Sequence, residues 1–120
     1  MKELEKEFIG AKESKGFKFK QVVADEYGYI YSVFCHSEGI APDDVPMYYE
    51  VFKRKEQKES TSVIGGKECH FEAKVRYPTS NDFGVWAWVF RDNELYKAMQ
   101  KLETFKNESD EKQRNTTVHV

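Results

Sequence analysis

The chain has 120 residues, 19 of them basic and 21 acidic, for a net charge of −2. That length suits a single domain whose core stands without metal or disulfide help. The near balance of charge excludes a global field that would gather nucleic acid or an anionic membrane, and it argues against a DNA mimic. No apolar run approaches the roughly 20 residues of a membrane helix. Residues 1–7, MKELEKE, have no apolar stretch of the kind that directs secretion. The cytoplasm is the expected compartment, and there two cysteines stay free more often than bridged.

Residues 3–14 alternate Glu and Lys around Leu4, Phe8, Ile9 and Ala11, which predicts a short N-terminal helix with a narrow apolar stripe. From Phe17 to Ala24 the period is two, a strand pattern; Asp25-Glu26-Tyr27-Gly28 turns the chain, with glycine there to supply a positive φ. Tyr29, Tyr31, Val33 and Cys35 then face one way and Ile30, Ser32, Phe34 and His36 the other, completing a hairpin. Residues 37–46 read as a loop by their prolines and acids, and residues 47–54 as a strand. The charge-mixed residues 55–67, ending in Gly65-Gly66, read as a long mobile hairpin loop.

Next comes the cleanest alternation in the chain. It sends Cys69, Phe71, Ala73, Val75 and Tyr77 to the core and Glu68, His70, Glu72, Lys74 and Arg76 to water. After a turn at Tyr77-Pro78 and Thr79-Ser80-Asn81-Asp82, residues 83–90 are apolar on both parities, as in an interior strand covered on two sides. This tryptophan strand is expected beside the preceding one. Asp92 reads as the N-cap of a helix with Leu95, Ala98, Met99, Leu102 and Phe105 on its buried face. The domain is expected to span residues 1–106, with residues 107–120 a flexible tail. The fold class is α+β: an antiparallel meander sheet of four or five strands, the C-terminal helix on one face, and the short N-terminal helix beside or across the other.

Chemistry leaves few local traces. Cys35-His36 and Cys69-His70 could offer four zinc ligands, but adjacent residues of a strand point to opposite faces, so buried thiols and exposed imidazoles are the simpler account. Asp43-Asp44 is a lone acidic pair, and no nucleophile elbow, phosphate loop or metalloprotease helix is present. No cofactor or metal is expected. The stronger lead is aromatic: Tyr29, Tyr31, Tyr48, Tyr49, Trp86 and Trp88, interleaved with Lys53 and Arg54, are more ring surface than one helix covers. These eight residues are the candidate binding surface, with a double-covered core as the alternative account of the same rings.

The blocks YEVFKRK at residues 49–55, YP at 77–78, NDFG at 81–84 and WAW at 86–88, followed by an amphipathic helix, resemble small uncharacterised proteins of bacterial phages and mobile elements. The resemblance spans roughly residues 46–106 and brings no catalytic residue with it. It implies a context in which such proteins bind and block a host protein, defence machinery included, in the host cytoplasm. The function read from sequence is therefore a non-catalytic protein that binds a protein partner through the aromatic surface or the loops at 37–46 and 55–67, a homodimer being a further form. Two alternatives stay open: a single-stranded nucleic-acid binder using the same rings with the lysines, and an enzyme assembled from scattered groups.

Overall fold

A computed structural model describes residues 1–10, 15–35 and 45–117. In chain order it contains β1 (Glu7–Ile9), β2 (Phe17–Ala24), β3 (Gly28–Cys35), β4 (Tyr48–Lys53), β5 (Glu56–Gln57), β6 (Ser60–Ile64), β7 (Lys67–Phe71), β8 (Lys74–Val75), β9 (Ala87–Arg91) and α1 (Leu95–Thr117). An antiparallel sheet has the order β1-β2-β3-β4-β9, and two separate ladders, β5-β8 and β6-β7, form a ribbon inserted between β4 and β9. The α+β class and the five-stranded antiparallel sheet with a C-terminal helix agree with the sequence.

The N-terminal helix does not form within the described residues. Glu7–Ile9 is instead the edge strand of the sheet, paired with β2, because Phe8 stacks on Phe19 at 4.8 Å and half-buries its ring there. A long-range contact of this kind outweighs the weak helical preference of a Glu/Lys-rich segment. The remainder of the expected helix, residues 11–14, and most of the expected loop at 37–46 lie outside the described residues.

The reading of residues 55–67 as a loop is also corrected: they hold β5 and β6, and Gly65 and Gly66, with φ of 60° and 79°, make the tight two-residue turn into β7. Two successive positive φ values fit the type I′ turn, whose twist matches that of the strands it joins. The tryptophan strand does not lie beside residues 68–77. β9 pairs with β4 and is an edge strand, not an interior one. The helix begins three residues after Asp92; the carbonyl of Glu94 accepts from the Lys97 and Ala98 amides, and Glu94 Oε1 accepts from the Arg91 amide at 3.0 Å. α1 then runs on to Thr117, past Phe105, where the apolar pattern ends.

The sheet is buried on both faces. One face carries Ile30, Val51, Tyr49, Trp88 and Phe90 beneath Leu95, Ala98, Leu102 and Phe105 of α1. Gly28 is the point of closest approach: a Cβ there would run into the Phe52 carbonyl oxygen and crowd Phe105 and Leu102 at 3.0 and 3.1 Å. Its φ is not positive, so the glycine serves close packing against the β4 backbone and α1 and not the turn; Asp25 makes the turn by accepting from the Tyr27 and Gly28 amides at 2.8 and 2.9 Å. The opposite face carries Phe19, Tyr29, Tyr31, Val33, Phe52 and Ala87, roofed by Val75, Tyr77, Phe83 and Trp86 from residues 75–86 and by Leu4 and Phe8.

Candidate functional site

The eight residues singled out by sequence are divided between the two faces. Tyr29, Tyr31, Tyr48 and Trp86 belong to the roofed face, and Tyr49 and Trp88 to the helical one. Tyr29, Tyr31 and Trp86 are buried; Tyr48, Tyr49, Trp88, Lys53 and Arg54 are half-buried. Several rings do share the face opposite α1, and residues 75–86 cover them there.

Five of these residues are also engaged locally. The Tyr29 ring stacks on Phe52 at 5.4 Å, and its hydroxyl donates to Glu3 Oε1 at 2.9 Å. Burial, reinforced by that bond to a carboxylate, pushes the Tyr29 phenol up to about 12. Arg54 grips Glu3 through both terminal nitrogens, at 2.9 and 2.6 Å, and holds its carboxyl below the ordinary range; Nε of Arg54 reaches Glu56 at 3.1 Å. Tyr31 donates to the Glu5 carbonyl at 2.6 Å and accepts from Gln21 at 3.0 Å. Lys53 pairs with Glu108 at 3.0 Å, and Lys101 sits 4.0 Å above the Trp88 ring, a cation–π contact. These contacts fasten the N-terminal residues and α1 to the sheet.

Under the roof lies a buried carboxylate. Glu50, on β4, faces Tyr31 across β3 and Val89 across β9, and is 6% exposed. Tyr77 donates to its Oε2 at 3.3 Å, and burial raises the Glu50 pKa to about 7 against the smaller downward pull of that hydrogen bond. The phenols of Tyr31, Tyr48 and Tyr77 are all raised, chiefly by burial. Tyr77 is the hub of the roof, with ring contacts to Phe8, Phe19, Tyr31 and Phe52 at 4.8–5.6 Å. A cleft of about 350 Å³ runs past it between residues 2–5 and 74–79, and Glu50 is not among its lining residues. The pair therefore acts as a polar clasp between the sheet and its roof.

Exposed apolar side chains stand singly on the body, at Val85, Val89, Tyr96 and Met99 among others, and together on the arm formed by β6 and β7. Its register, with Ser60 opposite Phe71, Ser62 opposite Cys69 and Ile64 opposite Lys67, puts Ile64, Cys69 and Phe71 on one side. The other side holds Thr61, Val63, Glu68 and His70, where His70 meets Glu59 at 3.2 Å and Thr61 at 3.4 Å. Cys69 and His70 thus point apart, as strand geometry requires. Val63 is 74% exposed, Ile64 58% and Phe71 38%. The alternation that assigned Cys69 and Phe71 to the core reaches it only from Val75 onward, because the ribbon leaves the body between Glu72 and Lys74. A glycine pair flanked by two alternating runs is a hairpin signal, and it was the cue that could have located the arm.

Among the described residues no three His, Cys, Asp or Glu side chains gather as metal ligands, and no helix is long and apolar enough to cross a membrane. Comparison with known protein families, with curated proteins and with solved structures finds no match for this chain.

Proposed function

We propose that this is a non-catalytic binding protein that engages another protein through the β6–β7 arm. One observation carries the reading: Ile64 and Phe71 share one side of a two-stranded ribbon that no other element among the described residues covers. A lone hairpin is marginally stable in water, and its apolar side gains most by docking on a second surface. The body has already spent its own rings on its core, so the binding role moves from the aromatic sheet to the arm. The resemblance to small phage and mobile-element proteins directs the search to a bacterial host protein, with host defence factors the first class to screen.

The test is capture from bacterial lysate by tagged protein, run beside an Ile64→Ser/Phe71→Ser double variant and a Val85→Ser control on the body. A protein retained by wild type and by the control, and reduced about tenfold or more by the arm variant, supports the reading. Equal retention by all three sinks it. The nucleic-acid alternative is checked by titrating labelled single strands at low and moderate salt; the stacking it needs is disfavoured by the burial of Tyr29, Tyr31 and Trp86.

A further inference from the structure

The arm has an edge as well as a face, and the edge is treated unlike the rims of the main sheet and the edges of β7 and β8. At the rim of the sheet, β9 turns the backbone groups of Ala87, Val89 and Arg91 outward, because Lys53 donates to the Trp86 carbonyl and the pattern alternates from there. Local turns close both ends of that rim: Gly84 donates to the Ala87 carbonyl at 2.7 Å, while Arg91 donates to Glu94 Oε1 and its carbonyl accepts from the Glu94 amide. At the other rim, β1 is only three residues long and directs charged Glu7 outward. The edge of β8 is occupied by Lys2, which donates to Ala73 at 3.1 Å and accepts from Val75 at 2.8 Å. β7 presents Glu68 and His70. Short length, charge and local cover are the means by which proteins keep their edges from pairing.

β6 has none of these. It is five residues long, STSVI, with no charge, no proline and no bulge in its pairing, and every residue is exposed. The Gly65-Gly66 turn makes Ile64 and Lys67 the hydrogen-bonded pair next to it, so Ser62 and Ser60 also bond toward β7. The amides and carbonyls of Thr61 and Val63 therefore face away from the arm.

We infer that β6 pairs with β6 of a second copy, antiparallel about a two-fold axis at Ser62, joining two arms into one four-stranded sheet. The inference goes beyond the proposed function, since it concerns the edge of the arm and not its apolar side. The strand is self-complementary in this register. Thr61 of each copy falls opposite Val63 of the other as a hydrogen-bonded pair, so all the outward groups of both residues are satisfied. Both are β-branched and suit a cross-strand pair. Ser62 falls opposite its own copy, and with no charge on either strand no like charges meet. An unguarded edge pairs by default with the strand most available to it, its own copy. The seam is small against the 1,200–2,000 Å² of a stable interface, so a reversible dimer with a Kd on the order of 100 µM is expected.

Sedimentation velocity from about 5 to about 500 µM reads this directly, the expected result being a rising weight-average mass. Val63→Pro removes an outward amide without touching the ladder to β7, and should hold the protein monomeric throughout. Val63→Lys, a charge on the same edge, serves if the proline variant loses the arm by NMR. In a Cys35→Ser/Cys69→Ser background, Ser62→Cys should oxidise to a disulfide dimer at least tenfold faster than Thr61→Cys, because Ser62 is the position that meets its own copy. A constant monomer mass in the wild type overturns the inference and leaves the edge to a foreign strand. So does a dimer that survives both Val63 variants, or cross-linking no faster at Ser62→Cys than at Thr61→Cys. None of these outcomes bears on capture through Ile64 and Phe71, so the inference and the proposed function fail separately.

Discussion

In the body, Phe52 has no exposed surface and lies within ring distance of Tyr29, Tyr31, Tyr77 and Trp86; on the arm, Phe71 sits opposite Ser60 with more than a third of its surface in water. Both phenylalanines are strand residues, and what separates them is what the chain lays over them. Burial of apolar area is what distinguishes a core ring from an available one, and strand periodicity reports the side a residue faces without reporting whether that side is covered. The body is an object closed by its own roof and helix. The arm is a piece of secondary structure without a core behind it. A radius of gyration of 17.1 Å, against about 14 Å for a compact chain of this length, fits a molecule with an arm and a helix end that extend beyond its core.

The contrast can be broken at several points. Phe52→Ala should cost about 3–5 kcal/mol in urea unfolding, since it opens a cavity beneath four rings. A loss under about 1 kcal/mol would mean that the roof is not packed on the sheet. Glu50 gives the next effect, with a defined sign. A carboxyl whose pKa in the folded state, about 7, lies above its ordinary 4.5 holds its proton more tightly when folded. Stability from this group is thus greatest below about pH 4.5, falls as pH rises through 7, and then levels, a change of about 3 kcal/mol. Glu50→Gln should flatten that fall and leave the variant more stable than wild type at pH 8, with the gap closing toward pH 5. A wild-type stability that does not drop between pH 5 and 8 would contradict the buried clasp. Gly28→Ala should cost about 1–3 kcal/mol by driving a methyl group into the Phe52 carbonyl and against Phe105 and Leu102, visible as a lower Tm. Smallest of all, Phe71→Ala should change stability by less than about 0.5 kcal/mol. A larger loss would show that the arm rests on the body after all.

The parts legible in the sequence are those set by local periodicity. The hairpin of β2 and β3, strand β4 and the stripe Leu95, Ala98, Leu102, Phe105 all follow from spacing, and the structure places them as read; Met99, read onto the same stripe, is instead 44% exposed at its margin. What spacing could not supply was long-range partnership. Phe8 decides the fate of the N-terminus by stacking on Phe19, a residue that its neighbours in sequence do not predict. The run through Trp86 and Trp88 is apolar on both parities because the roof covers one side and α1 the other; Val85 and Val89 are left outside, and the strand is an edge nonetheless. The candidate site suffered most from this gap. Tyr29, Tyr31 and Trp86 attract attention as large rings, yet their neighbours across the sheet enclose them, while Ile64 draws none and stands in the open.

The short ladder of β5 with β8 brings Gln57 alongside Lys74, and the Gln57 side chain also donates to the Glu72 carbonyl at 3.0 Å. The chain thus departs from the body and re-enters it at adjacent points, like a loop of thread drawn through one eyelet. Residues 58–73 can be excised and replaced by a two-residue turn, or exchanged for another ribbon, with both stumps already held at hairpin distance. The sequence at the tip of such a graft can vary without disturbing the scaffold that carries it.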